Sequence, residues 1–216
     1  MKVRGYSARA LPVVAKPGFI RPCTPEFVRW RTVTSLELTT PRLVLRRWRA
    51  DDAGPMAAIN NDPEVARMLN RPVDPGAADG FLDRARGHWE EHGFGWWAVE
   101  GRELDFRGQL LGFVGLAYPT FLPEVAARPE IGWRLASRAW GRGLATEGAQ
   151  AAAEDAFTRL ELPQLISIIH PANHRSQRVA RKLGMTLERQ VEHPAREELV
   201  DVWVLDRSTG SRRRSE

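Results

Sequence analysis

The chain has 216 residues, 43% hydrophobic and 27% charged, which is the balance of a water-soluble globular protein long enough for one domain with a full core. No apolar run is long enough to cross a membrane, and a single cysteine, Cys23, excludes an internal disulfide framework and fits a reducing, cytoplasmic setting. A pI of about 10.1 points towards nucleic acid, but seven Lys/Arg against one Glu in residues 1–34 and three Arg against one Glu in residues 211–216 leave −3 on residues 35–210, which argues against nucleic acid as a partner of that body.

Residues 1–34 carry Pro12, Pro17, Pro22 and Pro25, no sustained periodicity and no apolar core of signal-peptide length. They read as a disordered extension or as residues added by an upstream choice of start codon, with a short element around Phe27–Trp30 able to dock on the body. Cys23 there reads as an incidental thiol. Residues 35–207 form the domain proper, and 208–216 a basic tail.

Within the body, Arg42–Trp48 alternates as a first strand. Asp51 or Asp52 is placed to cap the helix that follows, and Asp62-Pro63-Glu64 restarts another with proline at its first position. Pro72–Gly76 is a turn, and Ala77–Glu91 an amphipathic helix broken by His92-Gly93-Phe94-Gly95. Trp96–Glu100 and Gln109–Tyr118 read as strands around a hairpin turn at Arg102–Gly108. A loop from Phe121 to Arg128 leads into the strand Glu130–Leu135. Helix Leu144–Leu160 carries a stripe of small residues, with Gly148 inside it marking a close approach. Leu165–Ile169 is a buried strand, Asn173–Leu183 a helix stopped by Gly184, and 185–191 and 199–205 are closing antiparallel strands. The class is α/β (α+β): antiparallel strands first, then one parallel crossover.

That crossover holds Trp140-Gly141-Arg142-Gly143-Leu144-Ala145, then Thr146-Glu147. A helix N-terminus exposes N–H groups without intrahelical partners and carries a partial positive charge. Glycines let a phosphate approach those groups, so the segment reads as an anion cradle. Three patterns compete for it. A P-loop needs Gly-x-x-x-x-Gly-Lys-Ser/Thr, which occurs nowhere in the chain. The dinucleotide fingerprint finds Thr146 where its third Gly/Ala belongs, and comes too late in the chain. The third, Gln/Arg-x-x-Gly-x-Gly/Ala, is the coenzyme A pyrophosphate loop of the GNAT N-acetyltransferases, matched here except for Trp140 at the first position.

Three further blocks carry the same resemblance: Pro129-Glu130-Ile131-Gly132-Trp133-Arg134-Leu135, Asn173-His174-Arg175-Ser176 with Arg181-Lys182-Leu183-Gly184-Met185, and the opening Leu38-Thr39-Thr40-Pro41-Arg42-Leu43-Val44-Leu45-Arg46. The last, with an aromatic residue before Gly-Arg-Gly, resembles the branch of ribosomal-protein N-terminal acetyltransferases (RimJ/RimL type). The resemblance spans about residues 36 to 207. It implies a GNAT fold, a mixed and mostly antiparallel central sheet with splayed central strands and flanking helices. It also implies acetyl-CoA as co-substrate, a primary amine on a protein N-terminus or a small molecule as acceptor, no metal, and a monomer or homodimer.

The resemblance also distributes roles. Coenzyme A would be held by Trp140, Gly141, Arg142, Gly143, Leu144 and Ala145, with Arg138 and Arg142 near the phosphates. The strand through Trp133 and Leu135 would pair its backbone with the pantetheine arm and supply an oxyanion donor. Two roles are open to Asn173, capping its helix or meeting the pantetheine chain, and Ser176 is placed to protonate the leaving thiolate or to be a first-turn helix serine. Tyr6 and Tyr118 fall outside the matching blocks, so the acid stays open. Glu130 reads as the candidate base or as an exposed strand-edge carboxylate, and a base acting through water is the further alternative. His170 and His174 are separated by Pro171, which spoils a helical metal pair. Trp89, Phe94 and Trp96 read as core sooner than acceptor lining. A different class, a coenzyme A-binding regulatory or sensor module without catalysis, would carry the same binding loops.

Overall fold

The computed structural model describes residues 36–69 and 77–207. The expectations for residues 1–34, for the turn at Pro72–Gly76 and for the basic tail lie outside the described residues. Eight strands form one sheet in the order β1-β2-β3-β4-β5-β6-β8-β7: β1 (Leu38–Thr39), β2 (Leu43–Arg46), β3 (Trp96–Gly101), β4 (Leu110–Ala117), β5 (Glu130–Leu135), β6 (Gln164–Ile169), β7 (Thr186–His193) and β8 (Glu198–Asp206). Every neighbouring pair is antiparallel except β5 and β6. Among the described residues the helices are α1 (Ala53–Asn60), α2 (Pro63–Leu69), α3 (Ala77–His92), α4 (Leu144–Thr158) and α5 (His174–Leu183).

Two apolar layers sandwich the central strands. On one face α4 buries Ala149, Ala152, Ala156 and Phe157 against Trp97, Val114, Leu116 and Ile131. On the other, α1 and α3 contribute Met56, Ile59, Leu82 and Ala85, which meet Ala98, Leu110 and Phe113. Each strand thus supplies alternate side chains to opposite layers, as a pleated sheet covered on both faces requires. Trp89 and Phe94 are core, and the Trp89 indole donates to the carbonyl of Trp96 at 3.0 Å. Gly148 lets α4 close on the sheet, since a Cβ there would stand 3.2 Å from Val114 Cγ2.

Asp52 departs from the role of simple cap. It sits at the start of α1, but its carboxylate accepts from the Arg49 N–H at 2.7 Å and from the Arg46 guanidinium at 2.7 and 2.8 Å, with no cap bond to α1. A buried arginine needs carboxylates to stay satisfied, and Asp52 shares that task with Glu100, whose Oε2 accepts from Arg46 Nε at 2.7 Å.

Gly112, at φ +132°, lies where β4 and β5 press together, and a Cβ would run into the carbonyl oxygen of Arg134. Neither backbone can yield without breaking the ladder. Gly112→Ala is therefore expected to cost roughly 2–4 kcal/mol, read as a lower urea midpoint at unchanged slope.

The β5–β6 junction positions everything that follows. Its register pairing is confined to Glu130 opposite Ile166, with the Ile166 N–H donating to the Pro129 carbonyl at 3.0 Å. Two residues further along β6, the Ile168 N–H finds the Glu130 carboxylate at 3.4 Å instead of a strand partner. The two strands part beyond this point, and the sheet opens.

Candidate active site

Into the opening runs a cleft of about 650 Å³, floored by Trp133 and Leu135 of β5, bounded by the Trp140–Thr146 loop and by α5, and reached from α2 through Glu64, Val65 and Met68. The β5 backbone faces it in a defined way. The Ala136 N–H donates to Leu111 on the β4 side at 2.8 Å, so by alternation the N–H groups of Trp133 and Leu135 point away from β4, towards the open side.

The loop is shaped by its punctuation. After β5 the chain makes one 3₁₀ turn, Ser137–Ala139, and the Trp140 indole folds back to donate to the Leu135 carbonyl at 2.7 Å. Gly141 and Gly143 both take left-handed φ, +76° and +80°, which reverses the chain and aims α4 at the cleft. Gly143 caps α4 without any side-chain hydrogen bond. The first-turn N–H groups of Leu144, Ala145 and Thr146, all residues that line the cleft, are thus left for a ligand.

Opposite stands α5. Asn173 caps it, its Oδ1 accepting from the Ser176 N–H at 3.0 Å, and Gly184 ends it at φ +91°. Gln177, Ala180 and Leu183 face the core, which turns Arg175, Arg178 and Lys182 to the cleft. The Arg175 guanidinium lies over the Trp140 ring, 4.5 Å from its centroid.

Glu130 occupies the vertex where β5 and β6 separate. It keeps a partial window to solvent, yet protein crowds its carboxyl. Burial pushes its pKa up to about 7, against the smaller opposing pull of the Ile168 N–H.

Against this geometry stand the comparisons with known proteins. The family model described as an acetyltransferase (GNAT) domain matches residues 42–186. The chain belongs to the GNAT acetyltransferase family. Similar proteins include the uncharacterized N-acetyltransferase p20 of Bacillus licheniformis, 26% identical over 77% of this chain and 93% of the relative. An acetyltransferase structure from Agrobacterium tumefaciens str. C58 superposes at a TM-score of 0.66 and 29% identity, covering 77% of this chain and 93% of that one. A ribosomal-protein-S5-alanine acetyltransferase from Vibrio fischeri shares the fold at 0.61 and 16% identity, over 80% and 97% of the two chains.

Within this GNAT domain the structure brings together Trp133, Leu135, Trp140, Gly141, Gly143, Leu144, Ala145, Asn173 and Ser176 on one cleft. Glu130 sits apart from the cleft lining, at the vertex. Arg138 and Arg142, expected near the phosphates, are not among the lining residues. Arg138 reaches Gln109 Oε1 and the Leu110 carbonyl at 3.3 Å, and Arg142 pairs with Asp105 at 3.2 Å over the Phe106 ring. Arg138, on the 3₁₀ turn ahead of the glycines, and Arg142, between them, are both held by these partners away from the cleft. The cleft's cations come instead from α5, where Arg175, Arg178 and Lys182 share one face at spacings of three and four residues. The α1–α2 corner is tied to β5 by Arg134 to Asn60 at 2.8 Å and to the turn after β5 by Ser137 to Asp62. No group of three or more His, Cys, Asp and Glu among the described residues is placed to hold a metal ion. No helix among them is long and apolar enough to cross a membrane.

Proposed function

We propose that the protein is an N-acetyltransferase that takes the acetyl group of acetyl-CoA and passes it to a primary amine by direct attack, without a covalent enzyme intermediate. The observation that carries this reading is the meeting, in one cleft, of an uncapped helix N-terminus and a strand edge whose N–H groups lack a neighbour. The first suits a pyrophosphate, and the second an amide-bearing arm that takes the place of a strand.

Leu144, Ala145 and the glycine turn would hold the pyrophosphate, with Arg175, Arg178 and Lys182 supplying charge. Trp133 and Leu135 would pair with the pantetheine arm, and one of their N–H groups would meet the oxygen on which negative charge develops. The thioester supplies the acyl carbon. The amine nitrogen bonds to it, the C–S bond breaks, the amine's surplus proton passes through water to Glu130, and the departing sulfur takes one from Ser176, whose hydroxyl is restored by a proton from solvent. Asn173 orients Ser176 through the cap bond while its amide remains at the cleft. A carboxyl with pKa about 7 is half ionised near neutrality and suited to accept that proton.

The acceptor would be an amine on a protein N-terminus or a small molecule, in keeping with the aromatic residue before Gly-Arg-Gly and the Thr-Pro-Arg-Leu opening of the RimJ/RimL-type branch. A cytoplasmic setting supplies acetyl-CoA. A thiol-release screen with acetyl-CoA across peptides and small amines tests the proposal. Release with a subset of amines is the expected result. Coenzyme A binding without release from any amine would make the protein a regulatory module, and failure to bind coenzyme A would sink both.

A further inference from the structure

Resting on the reading of the cleft as a coenzyme A site, we propose that Arg42 is a positioning residue for the pyrophosphate loop, acting by cancelling the charge of Glu147 at the N-terminus of α4. Glu147 stands in the first turn of that helix. A carboxylate there suits the helix itself, but it competes with any anion for the same N–H groups and the same positive potential. An anion cradle with a built-in anion would weaken itself unless the charge were matched.

The match comes from the far end of the sheet. Glu147 Oε1 accepts from the Thr40 hydroxyl at 2.6 Å and from the Arg42 N–H at 2.9 Å, and its Oε2 accepts from Arg42 Nε at 2.6 Å. The same guanidinium extends Nη1 to the Arg142 carbonyl, in the middle of the loop, at 2.8 Å. Its Nη2 lies 3.5 Å from where a Cβ on Gly143 would stand. Arg42 thus bridges the turn before β2, the loop and the first turn of α4. Thr40 is itself held, its carbonyl accepting from Arg102 and its hydroxyl from the Leu43 backbone N–H at 2.9 Å.

Burial disfavours ionisation of Glu147, but the bonds from the Thr40 hydroxyl, the Arg42 N–H and the Arg42 guanidinium outweigh it and hold the carboxyl below the usual carboxylate range. It is therefore charged throughout the working pH range. Without Arg42 it would stand as an uncompensated anion within one turn of the cradle.

A double-mutant cycle read by calorimetric titration with coenzyme A, with thermal melts alongside, tests this. R42A should weaken coenzyme A binding roughly tenfold. E147Q should bind at least as tightly as the unaltered protein, and R42A/E147Q should recover to within about threefold of it. R42Q carries the same prediction as R42A should the alanine variant lose its fold. An R42A affinity equal to that of the unaltered protein would overturn the proposal. So would a double variant as weak as R42A, because a purely architectural brace cannot be rescued by removing its second half. An unaltered protein that binds no coenzyme A would overturn the assignment of the cleft as well, an outcome distinct from both.

Discussion

Gly143→Asp is expected to raise the dissociation constant for coenzyme A more than about a hundredfold while the protein stays folded. The fold survives because the position is strained but roomy: φ is +80°, a conformation aspartate tolerates better than most residues, and a Cβ meets only Arg42 Nη2, at ordinary van der Waals distance. The ligand does not survive the change. A carboxylate at the cap of α4 satisfies the first-turn N–H groups itself and repels a pyrophosphate at about the same spot, an interaction of a few kcal/mol at intermediate dielectric. Gly143→Asn separates the two effects, since it keeps the size and the capping ability without the charge, and it should lose clearly less affinity. Calorimetric titration with coenzyme A and a thermal melt of each variant check the pair. A Gly143→Asp protein that binds as before would remove the loop from the ligand site.

The second large effect belongs to Glu130. Glu130→Gln is expected to lower kcat/KM by roughly a hundredfold or more at pH 8, and to remove the ionisation near pH 7 from the pH profile. The same substitution should raise stability. The folded pKa of about 7 lies above the ordinary 4.5, so between these values the folded state binds more protons than the unfolded one. Stability attached to this carboxyl is then complete below pH 4.5 and falls as pH rises through about 7. Glutamine stays neutral, keeps an oxygen for the Ile168 N–H, and escapes that loss. The variant should therefore exceed the unaltered protein by about 3 kcal/mol at pH 8, with the difference closing by pH 4. Urea denaturation at the two pH values measures it. Reduced stability at pH 8 would mean that the carboxylate is a structural anchor.

These two residues also mark how far the sequence could be read. Gly143 was legible because left-handed turns and helix starts are written locally, in glycine spacing and in the small-residue stripe of α4. For the same reason β5, the Asn173 cap and the Gly184 stop came out at or within a residue of their observed places. Glu130 was legible as a strand-edge carboxylate, but its raised pKa was not, since that depends on how β5 and β6 part. Arg138 and Arg142 stand beside the loop in sequence, yet their side chains reach Gln109 and Asp105, partners set by the tertiary fold that no local pattern shows. The Arg42–Glu147 pair, 105 residues apart, lay beyond any local pattern.

The single point of register pairing between β5 and β6 has a mechanical consequence. Strands β1–β5 and β6–β8 each pair along successive neighbours, with register shifts only at Val99/Glu100 and Leu187/Arg189, so the sheet is two plates that share one seam, and most of that seam is unsewn. On the proposed reading the pantetheine arm is the missing thread. Filling the seam would couple the plates, so that occupancy is reported across the whole sheet as well as at the ligand. On that reading the enzyme would be most tightly assembled when loaded and would loosen when the spent carrier leaves.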